Sequence, residues 1–238
     1  MEKVEGTPDS YVIRDFFSKE FADSLGERLE NELNFELVKR PSKGKPKAIF
    51  QSEVIDGKLS YLRCPSIDPK LLTGFTPTIS EVVRLFNANV GTQCNIAKIL
   101  KYEGSNKLKN HADKIIDLKE NSNIHTLRFG AERPLLLISK LTGKEIRLML
   151  PHNSLFILGW YTNREWTHGI PSHSTGTTYS IVLRTSISLL NSEELSVSSE
   201  RSCSSHFLLD KEKEAVLHHL WATENKKPVD ISHYASLC

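Results

Sequence analysis

Cysteine is sparse in this chain and never closely paired. Cys64, Cys94, Cys203 and Cys238 form no C-x-x-C motif. That excludes the usual structural zinc module and a disulfide scaffold, and it fits a reducing compartment. An excess of one charge is also missing. The 31 basic and 29 acidic residues leave a formal net charge of +2, too little to argue for a polyanionic partner by itself. No apolar run is long enough to cross a bilayer. Met1 to Gly6 lack the apolar centre of a secretion signal. The expectation is no membrane association and a nuclear or cytoplasmic location. Internal repeats are absent. What is present is a chain of 238 residues, long enough to bury one good core.

We expect one domain over residues 1–190. Residues 191–238 then form a Ser/Glu-rich linker and an amphipathic helix over Asp210 to Glu224 that docks on the domain or on a partner. Near the start, Tyr11 to Ile13 reads as a short strand. Ser18 is placed to cap a helix whose Phe21, Leu25, Leu29 and Leu33 recur at intervals of four and make one apolar stripe. Thr78 to Phe86 reads as a second supporting helix.

The centre of the chain is different. Asn95 to Tyr102, Leu108 to Asp113, Leu127 to Ala131, Leu135 to Ile138, Glu145 to Leu150, Ser154 to Trp160 and Tyr179 to Arg184 are short apolar or β-branched runs separated by turn residues. Regularly spaced strands of this kind predict an all-β sandwich or jelly roll.

His111 and Asp113 lie two apart, and His168 comes much later, in Trp166-Thr167-His168-Gly169-Ile170-Pro171. On a strand, residues i and i+2 share a face, so an imidazole and a carboxylate spaced as H-x-D aim at one point. A His from a second strand completes a set that leaves three adjacent positions open, which suits non-haem Fe(II). Zinc enzymes use the same ligand types but usually need only one open position. H-x-D also arises readily by chance in a chain with 9 His. His125, His152 and His173 are poorer ligand candidates. Trp160 and Trp166 read as packing around the second His, and Asn163 as a turn residue.

The ordered series of Asn95 and Tyr102, His111-x-Asp113, Arg128-Phe129-Gly130-Ala131 with Arg133, Trp166-x-His168-Gly169-Ile170-Pro171, and Ser180 to Arg184 resembles the AlkB-like branch of the 2-oxoglutarate and Fe(II)-dependent dioxygenases. The resemblance covers roughly residues 9 to 190. It implies a mainly β fold with flanking helices (α+β), a double-stranded β-helix or jelly roll. It implies Fe(II) and 2-oxoglutarate as cofactors, with His111, Asp113 and His168 as metal ligands and Tyr102 donating its hydroxyl to 2-oxoglutarate. Arg184 would belong to the basic end of that pocket, with Ser180 or Ser186 beside it according to the alignment. The activity implied is oxidative demethylation of N-methylated bases in nucleic acid.

This chain departs from the family at the co-substrate. The family usually ends in R-x-[SN]-x-[ST]-x-R, whose first Arg pairs with the distal carboxylate of 2-oxoglutarate. With Ser180 and Arg184 on that pattern, Thr178 stands where the first Arg belongs. With Arg184 as the first Arg and Ser186 next, Leu190 stands where the second belongs. Either way one Arg is present, and a Thr hydroxyl cannot replace a guanidinium fork. Leu100 also stands where the family often has Asn. Two other readings therefore compete with the demethylase: the same chemistry on a protein or small molecule, and a non-catalytic binding module.

Lys39 to Lys47 is the most basic stretch, free of acids and broken by Pro41, Gly44 and Pro46. In AlkB-like enzymes the segment at this place begins a lid over nucleic acid. Lys43, Lys45 and Lys47 would meet phosphates, and Phe50 or Tyr61 would stack on a base. Arg128 or Arg133 would line the mouth or pair on the surface. The expected partner is DNA or RNA, as a single strand or with the target base flipped out.

Overall fold

The structure is a computed structural model that describes residues 1–35, 44–63, 72–173, 175–190, 211–229, 232 and 234. In chain order the elements are β1 (Glu2–Lys3), β2 (Tyr11–Ile13), α1 (Lys19–Glu32), β3 (Lys47–Ser52), β4 (Val54–Ile55), β5 (Lys58–Tyr61), β6 (Thr73–Gly74) and α2 (Pro77–Val90). They continue with β7 (Ile96–Gly104), β8 (Leu108–His111), β9 (Ile124–Gly130), β10 (Arg133–Ser139), β11 (Glu145–Leu150) and β12 (Ser154–Leu158). The last are α3 (Trp160–Glu165), β13 (Trp166–Ile170), β14 (Thr175–Arg184), β15 (Ser188–Leu190) and α4 (Lys211–Glu224).

Alternation along the strands builds the layers. The major sheet runs β1-β2-β12-β9-β14-β7-β3-β6. In β7, β9, β12 and β14 the odd-numbered residues, including Ile99, Leu127, Leu155 and Ile181, pack with Leu25 and Leu29 of α1 and with Ile79, Val82 and Phe86 of α2. Even-numbered neighbours such as Leu100, Ile124, Phe156 and Val182 point the other way. They share a second core with Leu135, Leu137, Leu150 and Ile170 of the minor sheet, β11-β10-β13-β8. Two sheets packed through period-2 side chains make the jelly roll. A three-stranded sheet, β15-β5-β4, sits beside them.

The helices form for local reasons and stay for tertiary ones. The Ser18 hydroxyl accepts from the Phe21 N–H at 3.3 Å and caps α1. Pro77 starts α2, and Gly91 ends it in the left-handed conformation at φ 69°. Each fully buried Leu of α1 contributes roughly 1.5–3 kcal/mol by leaving water.

The α4 helix docks on the domain. Leu217, Leu220 and Trp221 join the core between the two sheets. The linker expected over 191–205, and the basic residues Lys39, Arg40 and Lys43, lie outside the described residues. No helix among the described residues is long and apolar enough to cross a membrane.

Candidate active site

His111 and His168 are direct cross-strand partners in the antiparallel pair β8–β13, with ring centroids 4.5 Å apart. Gly169 allows this pairing. A Cβ there would come within 2.8 Å of the Leu108 carbonyl oxygen and 2.9 Å of the Asn110 nitrogen. Only a residue without a side chain lets β8 close on β13 beside the second His.

Asp113 reaches the same point by another route. The ligand strand ends at His111, so the shared-face spacing expected of H-x-D is not what brings the pair together. Asp113 lies in the following segment and is clamped there. Its N–H donates to Asn163 Oδ1 at 2.9 Å, and Asn163 Nδ2 donates to its carbonyl at 3.0 Å. Arg184 Nε and Nη2 both donate to one carboxylate oxygen, Oδ2, at 3.2 and 2.6 Å. The other oxygen, Oδ1, is left 3.5 Å from His111 Nε2.

The donor atoms of His111, Asp113 and His168 all lie within 4.8 Å of one another. Their protonation suits a metal. Nδ1 of His111 lies 2.9 Å from the Lys109 carbonyl, so it carries the proton and leaves Nε2 with a lone pair. Burial pushes His168 down to about 3, which keeps that imidazole neutral. Burial also opposes the Asp113 charge, yet the Arg184 guanidinium holds the carboxyl well below the usual carboxylate range. Two imidazoles and one carboxylate on one side of a pocket match the facial donor set of Fe(II).

The pocket behind the triad is lined by Leu100 and Tyr102 of β7, Thr126 and Arg128 of β9, and Ser180, Val182 and Arg184 of β14. Tyr102 is fully buried, and Arg128 and Arg133 stand 5.6 and 5.4 Å from its ring centroid. Burial raises its phenol to about 12 against the pull of the two guanidiniums, so it remains a hydroxyl donor.

Several expected residues fall elsewhere. The Ser186 hydroxyl donates to the Tyr61 carbonyl and does not line the pocket. Tyr61 is 1% exposed, and Phe50 is buried with the Lys98 ammonium 5.1 Å over its ring. Both rings are packed in the core and unable to stack on a base, because their apolar faces are already covered. Lys47 pairs with Glu103 at 3.9 Å, Lys45 is exposed, and Lys43 lies outside the described residues. Neither Arg128 nor Arg133 is a surface residue. Arg133 is bound to the carbonyls of Gly104, Asn106 and His173. His125 faces the helices, with its ring 4.9 Å from that of Phe86.

Other working residues carried little local signal. Asn163 is more than a turn residue, and α4 reaches the ligand segment from the far end of the chain. Asn225 Oδ1 accepts from the Ala112 N–H at 2.8 Å, and Glu224 pairs with Lys114 at 3.1 Å. Lys114 Nζ also donates to the Trp221 carbonyl at 2.7 Å.

Residues 9–202 match the 2OG-Fe(II) oxygenase superfamily, and the chain belongs to that family as an AlkB-like iron and 2-oxoglutarate dioxygenase. The human DNA oxidative demethylase ALKBH2 is 26% identical over 184 residues, which span 71% of this chain and 69% of that protein. The mouse DNA oxidative demethylase ALKBH2 is also 26% identical over 184 residues, spanning 71% and 75% respectively. A solved structure titled "The structure of OsALKBH1" superposes with a TM-score of 0.49 at 12% identity, over 75% of this chain and 98% of that one.

Proposed function

We propose that this dioxygenase removes N-methyl groups from bases in nucleic acid by oxidation. The observation that carries the reading is the triad of His111, Asp113 and His168 at one end of a pocket between the two sheets, in a chain similar to two DNA oxidative demethylases. With 2-oxoglutarate and O2, Fe(II) supplies oxidation of a substrate C–H bond, giving succinate and CO2. An N-methyl carbon hydroxylated in this way is lost as formaldehyde.

The protein's part is position and protonation. His111, Asp113 and His168 would hold the metal, while Arg184 holds Asp113 ionised with Oδ1 turned to the site. Tyr102 offers a neutral hydroxyl inside the pocket. A base in a duplex would have to leave the stack to reach this depth, and a single strand avoids much of that unstacking energy. Exposed Lys45, in the segment just before β3, supports a phosphate interaction. A nuclear or cytoplasmic site of action goes with such a substrate.

One observation favours a second reading, the same chemistry on a protein or small molecule. Phe50 and Tyr61, the rings expected to stack on a base, are buried. The two readings part in one assay. Purified protein with Fe(II), 2-oxoglutarate and O2 is given N-methylated single-stranded oligonucleotides, and formaldehyde and succinate are measured together. Stoichiometric release of both supports the demethylase. No formaldehyde from any methylated oligonucleotide, with succinate formation stimulated instead by added peptides or small molecules that take up the second oxygen atom, supports the second reading.

A further inference from the structure

Ser180 lines the pocket and Ser186 does not, which sets the family motif on Ser180 and Arg184 and puts Thr178 where its first arginine belongs. Thr178 donates its hydroxyl to the Ala131 carbonyl at 2.7 Å. Arg184, the remaining arginine of that motif, has two N–H groups on Asp113. The pocket nevertheless contains a second guanidinium. Arg128 on β9 is 1% exposed, and its Nε and Nη1 have no hydrogen-bond partner. In the β9–β14 ladder it stands directly opposite Ser180, whose buried hydroxyl also lacks a partner. Tyr102 stands beside them, 5.6 Å from the Arg128 guanidinium to its ring centroid.

A buried cation with unsatisfied N–H groups is costly to keep unless something arrives to pair with it. No carboxylate among the described residues pairs with Arg128. Arg133, the nearby alternative, is committed to three main-chain carbonyls. Arg128, Ser180 and Tyr102 therefore offer a guanidinium and two hydroxyls in a pocket that ends, on its other side, at the metal triad. That is a receptor for the far carboxylate of a short diacid whose other end lies at the metal.

We infer that Arg128, moved one strand over from the family's position, binds the distal carboxylate of 2-oxoglutarate in this enzyme. The assignment rests on the dioxygenase class and is independent of the substrate that is oxidised. It accounts for how a chain with Thr178 in place of the motif's arginine keeps a co-substrate site. The missing charge is supplied from the neighbouring strand, at the same inward-facing parity.

The test is anaerobic calorimetry of the Fe(II)-loaded protein with 2-oxoglutarate and with 2-oxopentanoate, which keeps the 2-oxo acid end and lacks the distal carboxylate. In the wild type 2-oxoglutarate is expected to bind about a hundredfold more tightly, the worth of a charge-assisted fork. In Arg128→Met that preference is expected to collapse to within about threefold, with Fe(II) affinity and 2-oxopentanoate affinity unchanged. Arg128→Lys keeps a charge without the fork and is expected to lose about tenfold of the preference, which covers the case in which the Met variant does not fold. A wild-type preference in either variant overturns the assignment. Failure of the wild-type protein to bind either acid with Fe(II) present would instead count against the metal site itself.

Discussion

Asn163 and Asp113 close a ring through two hydrogen bonds, amide to main chain in both directions, at 2.9 and 3.0 Å. The two residues are 50 positions apart. Asn163 is supplied by α3, and the first turn of that helix is fixed in turn by Asp9, whose carboxylate accepts from the N–H groups of Tyr161 and Thr162. The metal ligand outside the strands is thus held through a short helix tied to the N-terminal segment.

Asn163→Ala leaves a buried N–H and a buried carbonyl of Asp113 without partners. Thermal unfolding should show a loss of about 2–4 kcal/mol. Fe(II) affinity, read by titration, should fall about 10–100-fold, as when other supports of metal ligands are removed. Unchanged metal affinity would show that Asp113 keeps its place without the amide.

Arg184→Met removes the only side-chain cation bonded to Asp113 among the described residues. A buried carboxylate without its partner destabilises the metal-free protein by roughly 3–5 kcal/mol. Denaturant unfolding without metal checks this. Stability equal to the wild type would show that the pair contributes nothing net to the apo fold.

At α4, Asn225→Ala and Glu224→Gln loosen the grip on residues 112–115 while leaving the apolar face of the helix intact. Hydrogen exchange at Ala112 and Ile115 should quicken in the variants, and Fe(II) affinity should drop by about tenfold. Exchange at the wild-type rate in both variants would show that the helix covers this segment without holding it.

Lys45→Glu is expected to weaken binding of a single-stranded oligonucleotide. It should also flatten the salt dependence by roughly 0.7 in slope, the amount that goes with neutralising one phosphate fewer. Binding of 2-oxoglutarate should not change. An unaltered salt slope would remove this lysine from the nucleic-acid interface.

Much of the fold was legible because it rests on local regularities. Short apolar and β-branched runs set off by turn residues predict β7, β9 and β14, and the capped stripe at Ser18 predicts α1. The triad was legible as a set of residue types, although a shared strand face is not what joins His111 to Asp113. They converge through Asn163 and Arg184. Those two supports, like Glu224 and Asn225, depend on meetings between distant parts of the chain and have no local signature. Arg128 did have one. It shares inward parity with Ile124 and Thr126 on a strand that pairs with Ser180, and a charged residue at an inward position of a buried strand calls for a partner. Phe50 and Tyr61 failed as stacking groups because composition near a basic loop does not tell which face of a strand a ring takes.

The central claim is that three side chains from two strands and the segment after one of them hold a single ferrous ion. It is tested most directly by diffraction at the iron absorption edge from crystals grown anaerobically with Fe(II) and 2-oxoglutarate. One anomalous peak bonded to His111, Asp113 and His168 is the predicted result. A peak elsewhere, or none at these residues in iron-saturated crystals, would contradict it.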